Sequence, residues 1–473
     1  MRTKIIATMG PSCSDKEVLK QMVEYGVRVF RHNFSHADAT ELAPRLKSIR
    51  ELENELNIPL TVMGDLSGPK VRIGNVKGSP LQVFRDTTVR LGPPDMDTGA
   101  DDPIYISLDF PELLKGLEVG MPVSLSDGML QFTVTKVLKT DQLFEMTSIN
   151  NGILTSHKGI AFPGKFHPMP AMTDKDRKDL HEGLDVGMDA AALSFVQTQD
   201  DVLDLRGEIQ KHGTWIPIVA KLERNNALDN LDAILAATDI VMVARGDLGL
   251  ECPLVHLPVI QKRIIRAARH AQKGAIVATQ MLLSMVKNPL PTRAETTDVA
   301  NAVMDGADCV MLSEETAIGQ YPVEVVKMIN GIASHAEEYY LERIEGPFRP
   351  KKEKNPVKYL AYSACLLAES MSSAGLVCHS TSGGTARLLS SRRPRQYIYA
   401  LTPDERVIRA LNFNYGVKPC LADDSIYNHL DRVEKFIEES DEFASGDNLV
   451  LTSGQPTPGQ QESHTNALKL YYK

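Results

Sequence analysis

The chain has 473 residues, a hydrophobic fraction of 42% and a formal charge of −9. That length is too great for one core and predicts two or three domains. The negative balance argues against a nucleic-acid binder or a polybasic membrane anchor, so any anion site has to be made positive locally.

Eight apolar runs are predicted as strands, at 4–9, 27–30, 60–63, 190–193, 275–278 and 309–312 and within the segments 218–223 and 241–249, in each of which the run stops on charge. The first begins so close to Met1 that no signal peptide is expected. Each run leads into polar or turn residues. In order these are Gly10, Pro11 and Ser12; Arg31, Asn33, Ser35 and His36; Asp65; Ser194; Lys221 and Glu223; Asp247; Thr279 and Gln280; Ser313, Glu314 and Glu315. Amphipathic stretches of helical length lie between most of them, at 15–25, 41–56, 200–211, 259–272, 297–304 and 322–340. Strand–helix alternation predicts parallel strands joined by crossovers. Eight such units predict an α/β chain built on a (β/α)8 TIM barrel, with its chemistry at the C-terminal strand ends. A doubly wound sheet is the alternative, but it does not need polar residues after every strand.

Two interruptions divide the chain. Short β-runs at 71–73, 81–83, 88–91, 123–125, 129–137 and 144–149, with an Asp127-Gly128 turn signal, predict a β-rich lid over 70–165. A proline-rich charged linker at 346–356 precedes a C-terminal α/β domain over 347–473. There, helices are predicted at 357–371, 385–391 and 405–412, and strands at 375–379, 397–401 and 416–420. The barrel then comprises 1–69 and 166–346. The six cysteines, Cys13, Cys252, Cys309, Cys365, Cys378 and Cys420, form no C-x-x-C pair and read as reduced thiols of a cytoplasmic protein. No apolar run is long enough to span a bilayer.

Lys221 and Glu223 are two apart, so on a strand they face the same side. With Asp247 at the next strand end, they point to a hard cation and an anionic substrate held in one place. Alone, a Lys-x-Glu pair reads as a structural ion pair; its recurrence among polar strand ends favours a site. No G-x-x-x-x-G-K-[ST] loop occurs, which argues against a P-loop kinase.

The ordered set TKIIATMGP (3–11), RHNFSH (31–36), DLSGP (65–69), KLE (221–223), ARGDLG (244–249), ATQM (278–281) and PTRAE (291–295) resembles the pyruvate kinase family over nearly the whole chain, lid and C-terminal domain included. The resemblance implies transfer of a phosphoryl group from phosphoenolpyruvate to ADP, the final step of glycolysis, by a cytoplasmic homotetramer. It implies that Lys221, Arg31 and Thr279 are catalytic and that Glu223 and Asp247 hold Mg²⁺ or Mn²⁺. Substrate would be bound by Arg31, Ser194, Lys221, Gly246, Asp247 and Thr279, with backbone amides near Gly246 on the substrate carboxylate. Phe195 would pack against the Lys221 stem. Arg72, Lys158, His36 and Pro11 match the nucleotide site. Asn33, Ser35, Asp65 and Leu66 match a monovalent-cation pocket. Ser380, Thr381, Ser382, Gly383, Gly384 and Thr385 match a loop for a phosphorylated allosteric effector.

Four departures stand out. Lys70 replaces the family's glutamate after Gly-Pro, and Leu66-Ser67 replaces threonine-lysine; both predict that potassium is not required. Ala161 replaces an asparagine. The run 313–318 differs from the family's, which puts a local helix start in question. The alternatives are another metal-dependent phosphoenolpyruvate or enolate enzyme on the same barrel, and a catalytically silent ligand sensor.

Overall fold

The computed structural model describes residues 1–69, 71–96, 103–126, 128–165, 169–350, 354–454 and 465–473. Eight parallel strands close into a barrel: β1 Lys4–Thr8, β2 Val27–Asn33, β3 Thr61–Leu66, β4 Ala190–Leu193, β5 Ile218–Leu222, β6 Ile240–Ala244, β7 Gly274–Ala278 and β8 Cys309–Leu312. Neighbours in sequence pair in space, and β8 closes on β1 through Lys4 opposite Cys309. The strands carry two opposite apolar faces. Ile5 and Ala7 pack outward with the helices, while Ile6, Val29, Met63, Val219, Met242, Ile276 and Met311 fill the interior. The barrel is therefore a packed core and not a pore.

All eight strands and the six helices fall where the patterning predicts. The helix Asp174–Asp185 is an addition. It carries nine charged or histidine positions among twelve and so has no apolar stripe to read. A capping box between Thr173 and Asp176 starts it, and Leu180 and Leu184 anchor it. The run after β8 does form one helical turn, Glu314–Ala317, with Glu315 accepting the N–H groups of Ser313 and Leu282.

Between β3 and that helix lies a six-stranded mixed sheet, in the order Ile160–Ala161, Pro122–Leu125, Leu130–Lys139, Leu143–Ser148, Thr88–Gly92 and Ile104–Ser107. Phe132, Val134, Phe144 and Ile106 form its core. Asp127 lies outside the described residues; the strands on either side of it pair antiparallel. The run at 71–73 is not a full strand: Arg72 and Ile73 make isolated bridges to Gly159 and Leu108.

The C-terminal sheet runs Val417–Leu421, Ile398–Thr402, Gly375–His379, Asn448–Ser453 and Ala467–Tyr472, the last antiparallel. The helix His429–Glu439 and the last two strands are not anticipated by the sequence reading. This domain seals the barrel floor. Phe413 is fully buried among the interior residues, and its carbonyl accepts from the Cys309 thiol. Arg393 forks onto Asp308 at 2.8 and 2.9 Å, just before β8. Among the described residues the six cysteines are free. No helix there is long and apolar enough to cross a membrane.

Candidate active site

The C-terminal ends of five consecutive strands build one charged cluster. Arg31, on β2, donates through Nε to Asp65 Oδ2 at 2.6 Å and through Nη1 to the Thr8 hydroxyl of β1 at 3.1 Å. Asp65, on β3, is 1% exposed and faces Lys221 of β5 through its other oxygen at 3.2 Å. The Lys221 ammonium also reaches Glu223 Oε1 at 3.0 Å and donates to the Ser194 hydroxyl at 2.7 Å. Ser194 in turn donates to the carbonyl of Leu66. Alternation within β5 explains the first contact: Lys221 and Glu223 flank Leu222, which is buried among the outward-packing residues.

The electrostatics follow from this crowding. Burial works to lower Lys221, but Asp65 and Glu223 outweigh it and hold the ammonium above the usual lysine range. Burial works to raise Asp65, but Lys221 and Arg31 outweigh it and hold the carboxyl below the usual range. Glu223 goes the other way. Burial raises it, Lys221 only partly offsets this, and the nearby Asp247 raises it further. The Asp247 carboxylate has no hydrogen bond or ion pair among the described residues. Three carboxylates thus face two fixed cations, which suits one more positive charge beside Glu223 and Asp247. Among the described residues no group of three or more His, Cys, Asp or Glu converges on a metal position. Two protein carboxylates, with the remaining shell left to substrate oxygens and water, fit a magnesium-type ion.

Thr279 follows β7 in a left-handed conformation, φ 69°, as does Gln280 at 54°. Its hydroxyl donates to the carbonyl of Ala278 at 2.6 Å and accepts the Gly246 N–H at 2.9 Å. The Gly246 amide, expected to be open to substrate, is therefore engaged by Thr279. Arg245 holds this corner. Its Nη2 donates to the Thr279 carbonyl at 2.7 Å, and its Nη1 lies between the two oxygens of Asp298 at 2.6 and 2.8 Å. The motif ARGDLG contains Arg245, but nothing local marks its partner Asp298, 53 residues on.

The structure also places the remaining positions. Arg72 and Lys158 come together where the lid joins the barrel: Arg72 bridges to Gly159 and donates to the His157 carbonyl. Pro11 and His36 are exposed on the loops after β1 and β2. Asn33 accepts the N–H of the exposed Ser35 at 3.1 Å. The carboxylate of Asp65 is committed to Arg31 and Lys221, as described above. Lys70 lies outside the described residues. The guanidinium of Arg224 lies over the Phe195 ring, 5.0 Å from its centroid. In the C-terminal domain, Ser380 Oγ accepts the Thr385 N–H at 3.1 Å, Gly383 has φ 77°, and the helix Gly384–Ser390 begins there.

Comparison with known proteins gives a consistent result. The family profile "Pyruvate kinase, barrel domain" matches residues 1–326, and "Pyruvate kinase, alpha/beta domain" matches 358–471. A pyruvate kinase of Thermococcus litoralis is 37% identical over 99% of this chain and 98% of its own length. One from Clostridium perfringens is 35% identical over 99% of both. The crystal structure of a pyruvate kinase from Cryptosporidium parvum superposes with a TM-score of 0.89 at 32% identity, covering 100% of this chain and 96% of that one.

Proposed function

We infer the chemistry of this site from one premise: the chain belongs to the pyruvate kinase family and is a phosphotransferase. The reaction breaks the P–O bond of phosphoenolpyruvate and forms a new one to the terminal phosphate of ADP. The enolate left behind takes a proton at carbon to give pyruvate. The observation that carries the assignment is the single cluster of Arg31, Asp65, Lys221 and Glu223, held together at 2.6 to 3.2 Å. Phosphoryl transfer needs alignment and charge neutralisation more than a covalent partner.

In this reading Arg31 grips the moving phosphoryl group, with Asp65 and Thr8 fixing the guanidinium in place. Lys221 stays protonated and faces charge on both the phosphoryl group and the enolate oxygen. Ser194 fixes the direction of its ammonium. Thr279 sits beside the enolate carbon and serves a proton relay, since an alcohol is too weak an acid to act alone. Glu223 and Asp247 would hold a divalent cation, Mg²⁺ or Mn²⁺, which would supply charge neutralisation to the transferring group. Arg72 and Lys158 face the nucleotide phosphates, with Pro11 and His36 near the nucleoside. A coupled assay for ATP formed from phosphoenolpyruvate and ADP tests the reading. Pyruvate released without ATP would instead indicate an enolate enzyme of another kind, and no turnover would indicate a silent sensor.

The enzyme is further expected to work without potassium. Lys70 places a tethered positive charge in the sequence where the family has a glutamate. The Asp65 carboxylate is already spent on two cations, and the Leu66 side chain offers no oxygen. A second cation about 4 Å from an ammonium is repelled by about 4 kcal/mol at an effective dielectric near 20, enough to empty a weak site. Activity should persist when tetramethylammonium replaces all potassium and sodium, and Lys70→Glu should create a potassium requirement. A many-fold loss restored only by potassium would show the opposite.

The C-terminal loop 380–385 is read as a cradle for a phosphorylated effector of a cytoplasmic homotetramer. Support comes from its hydroxyls, its glycines and the helix that begins there. Titration calorimetry with phosphorylated metabolites is expected to show binding that Thr381→Ala weakens. Light scattering reads the assembly. Binding by none of the metabolites tried, or binding indifferent to that substitution, rejects the cradle.

A further inference from the structure

One charged pair next to the metal position has no part in the chemistry above. Arg224 follows Glu223 directly. Its Nη1 lies 3.1 Å from Glu251 Oε1, with the two side chains 11% and 6% exposed. An ion pair buried this deeply gives up its hydration, and apolar residues of the same size would serve folding as well. Its neighbours suggest a different use.

The Arg224 guanidinium lies over the Phe195 ring. Gly68 closes on that ring from elsewhere: a Cβ at Gly68 would stand 2.7 Å from Phe195 Cδ2. The clamped residue has φ 57°, a conformation that bulky side chains rarely adopt. In it, the Phe195 N–H donates to Glu223 Oε2 at 2.7 Å. Since Lys221 takes the other oxygen, both oxygens of Glu223 are oriented by partners. The far end of the pair reaches the lid. Glu251 lies near enough to the backbone amide of Gly164, in the segment by which the lid returns to the barrel, for that amide to favour its charged form against the burial that raises it. The preceding residue, Leu250, lies so near the lid turn that a Cβ at Gly128 would meet it at 2.9 Å. The helix Arg245–Glu251 thus carries Asp247 near one end and lid contacts at the other.

We propose that Arg224 and Glu251 form a buried strut, a pair of positioning residues that orients Glu223 through Phe195 and ties the lid's return segment to the helix bearing Asp247. The proposal rests on the reading of Glu223 and Asp247 as ligands of the divalent cation. It makes metal affinity and lid order depend on a pair outside the proposed ligand set.

The test measures Mn²⁺ binding to the metal-free protein by titration calorimetry, and amide exchange over 159–165, alongside turnover. Arg224→Met is expected to weaken Mn²⁺ binding by about 10-fold or more, the range found when outer-sphere partners of a metal site are removed. Arg224→Lys keeps the charge but loses the planar fork and stack, so it should restore only part of that affinity. Glu251→Met should speed exchange at Gly164. The double variant Arg224→Met/Glu251→Met leaves no unpaired charge and is expected to fold, so a melting curve and Mn²⁺ binding can both be read on it. If it folds and binds Mn²⁺ within about twofold of the parent while Glu223→Gln does not bind, the strut is refuted and the ligand assignment stands. If Glu223→Gln itself binds Mn²⁺ normally, the ligand assignment fails and the strut falls with it.

Discussion

Lys221→Met should lower phosphoryl transfer by on the order of 10²–10³ or more, the loss seen when a preorganised electrostatic group is removed from a transition state. Methionine keeps the length and most of the volume, so the loss reports charge. The ammonium meets Asp65, Glu223 and Ser194 at once, at 3.2, 3.0 and 2.7 Å. Its partners hold it protonated well above neutral pH, so no pH in the working range should mimic the substitution. Divalent-cation binding should be largely spared, because the local field becomes more negative when the ammonium leaves. The measurement is turnover at saturating substrates, with metal affinity determined separately. Near-normal turnover would remove Lys221 from the mechanism. Lost turnover accompanied by lost metal binding would recast it as a structural cation.

Arg393→Met should destabilise the protein by about 3–5 kcal/mol, because it leaves a buried carboxylate without its counter-ion. Arg393 is 2% exposed and Asp308 4%. Besides the arginine fork, the Asp308 carboxylate accepts two backbone N–H groups, from Tyr415 and Ala275, at 3.0 Å each. The arginine fork and the Tyr415 bond span the joint between the barrel floor and the C-terminal domain, while the Ala275 bond stays within the barrel. The double variant Arg393→Met/Asp308→Asn removes the stranded charge and keeps an acceptor for one of the two amides. It is therefore expected to be more stable than Arg393→Met alone. Thermal unfolding checks both, with proteolysis in the linker as a second probe. A single variant that melts with the parent would mean that water reaches the carboxylate. A double variant no better than the single would mean that the guanidinium's packing on Tyr415, 4.5 Å away, matters more than its charge.

The barrel and the identity of its charged strand ends were legible because both are local signals. An apolar run that stops on Arg31, Lys221 or Asp247 states where a strand ends and which side chain stands at its mouth. Alternation puts Lys221 and Glu223 on one face without reference to any other strand. Where the local signal was absent, the reading failed. The helix Asp174–Asp185 has almost no apolar stripe and is started by its cap. The last two C-terminal strands lie beyond the last alternation that could be read, and one of them pairs antiparallel.

Periodicity says which face of its own element a side chain occupies, and nothing about which element lies opposite. The sequence by itself therefore determined the eight strands, an inserted β-rich segment, a C-terminal α/β segment and which charged residues stand at the strand ends. Only the tertiary structure decided what those residues do to one another. Barrel closure brings Asp65 of β3 between Arg31 of β2 and Lys221 of β5, 34 and 156 residues apart along the chain, and commits to those two cations a carboxylate that the motif alone associates with a monovalent ion. The same closure sets Arg224 over Phe195, Arg245 on Asp298, and Phe413 of another domain into the barrel floor. Each of these contacts joins residues distant in the chain, and their worth comes from burial and from charge neutralised at short range. Both are properties of the folded arrangement and leave no local trace in the order of the residues.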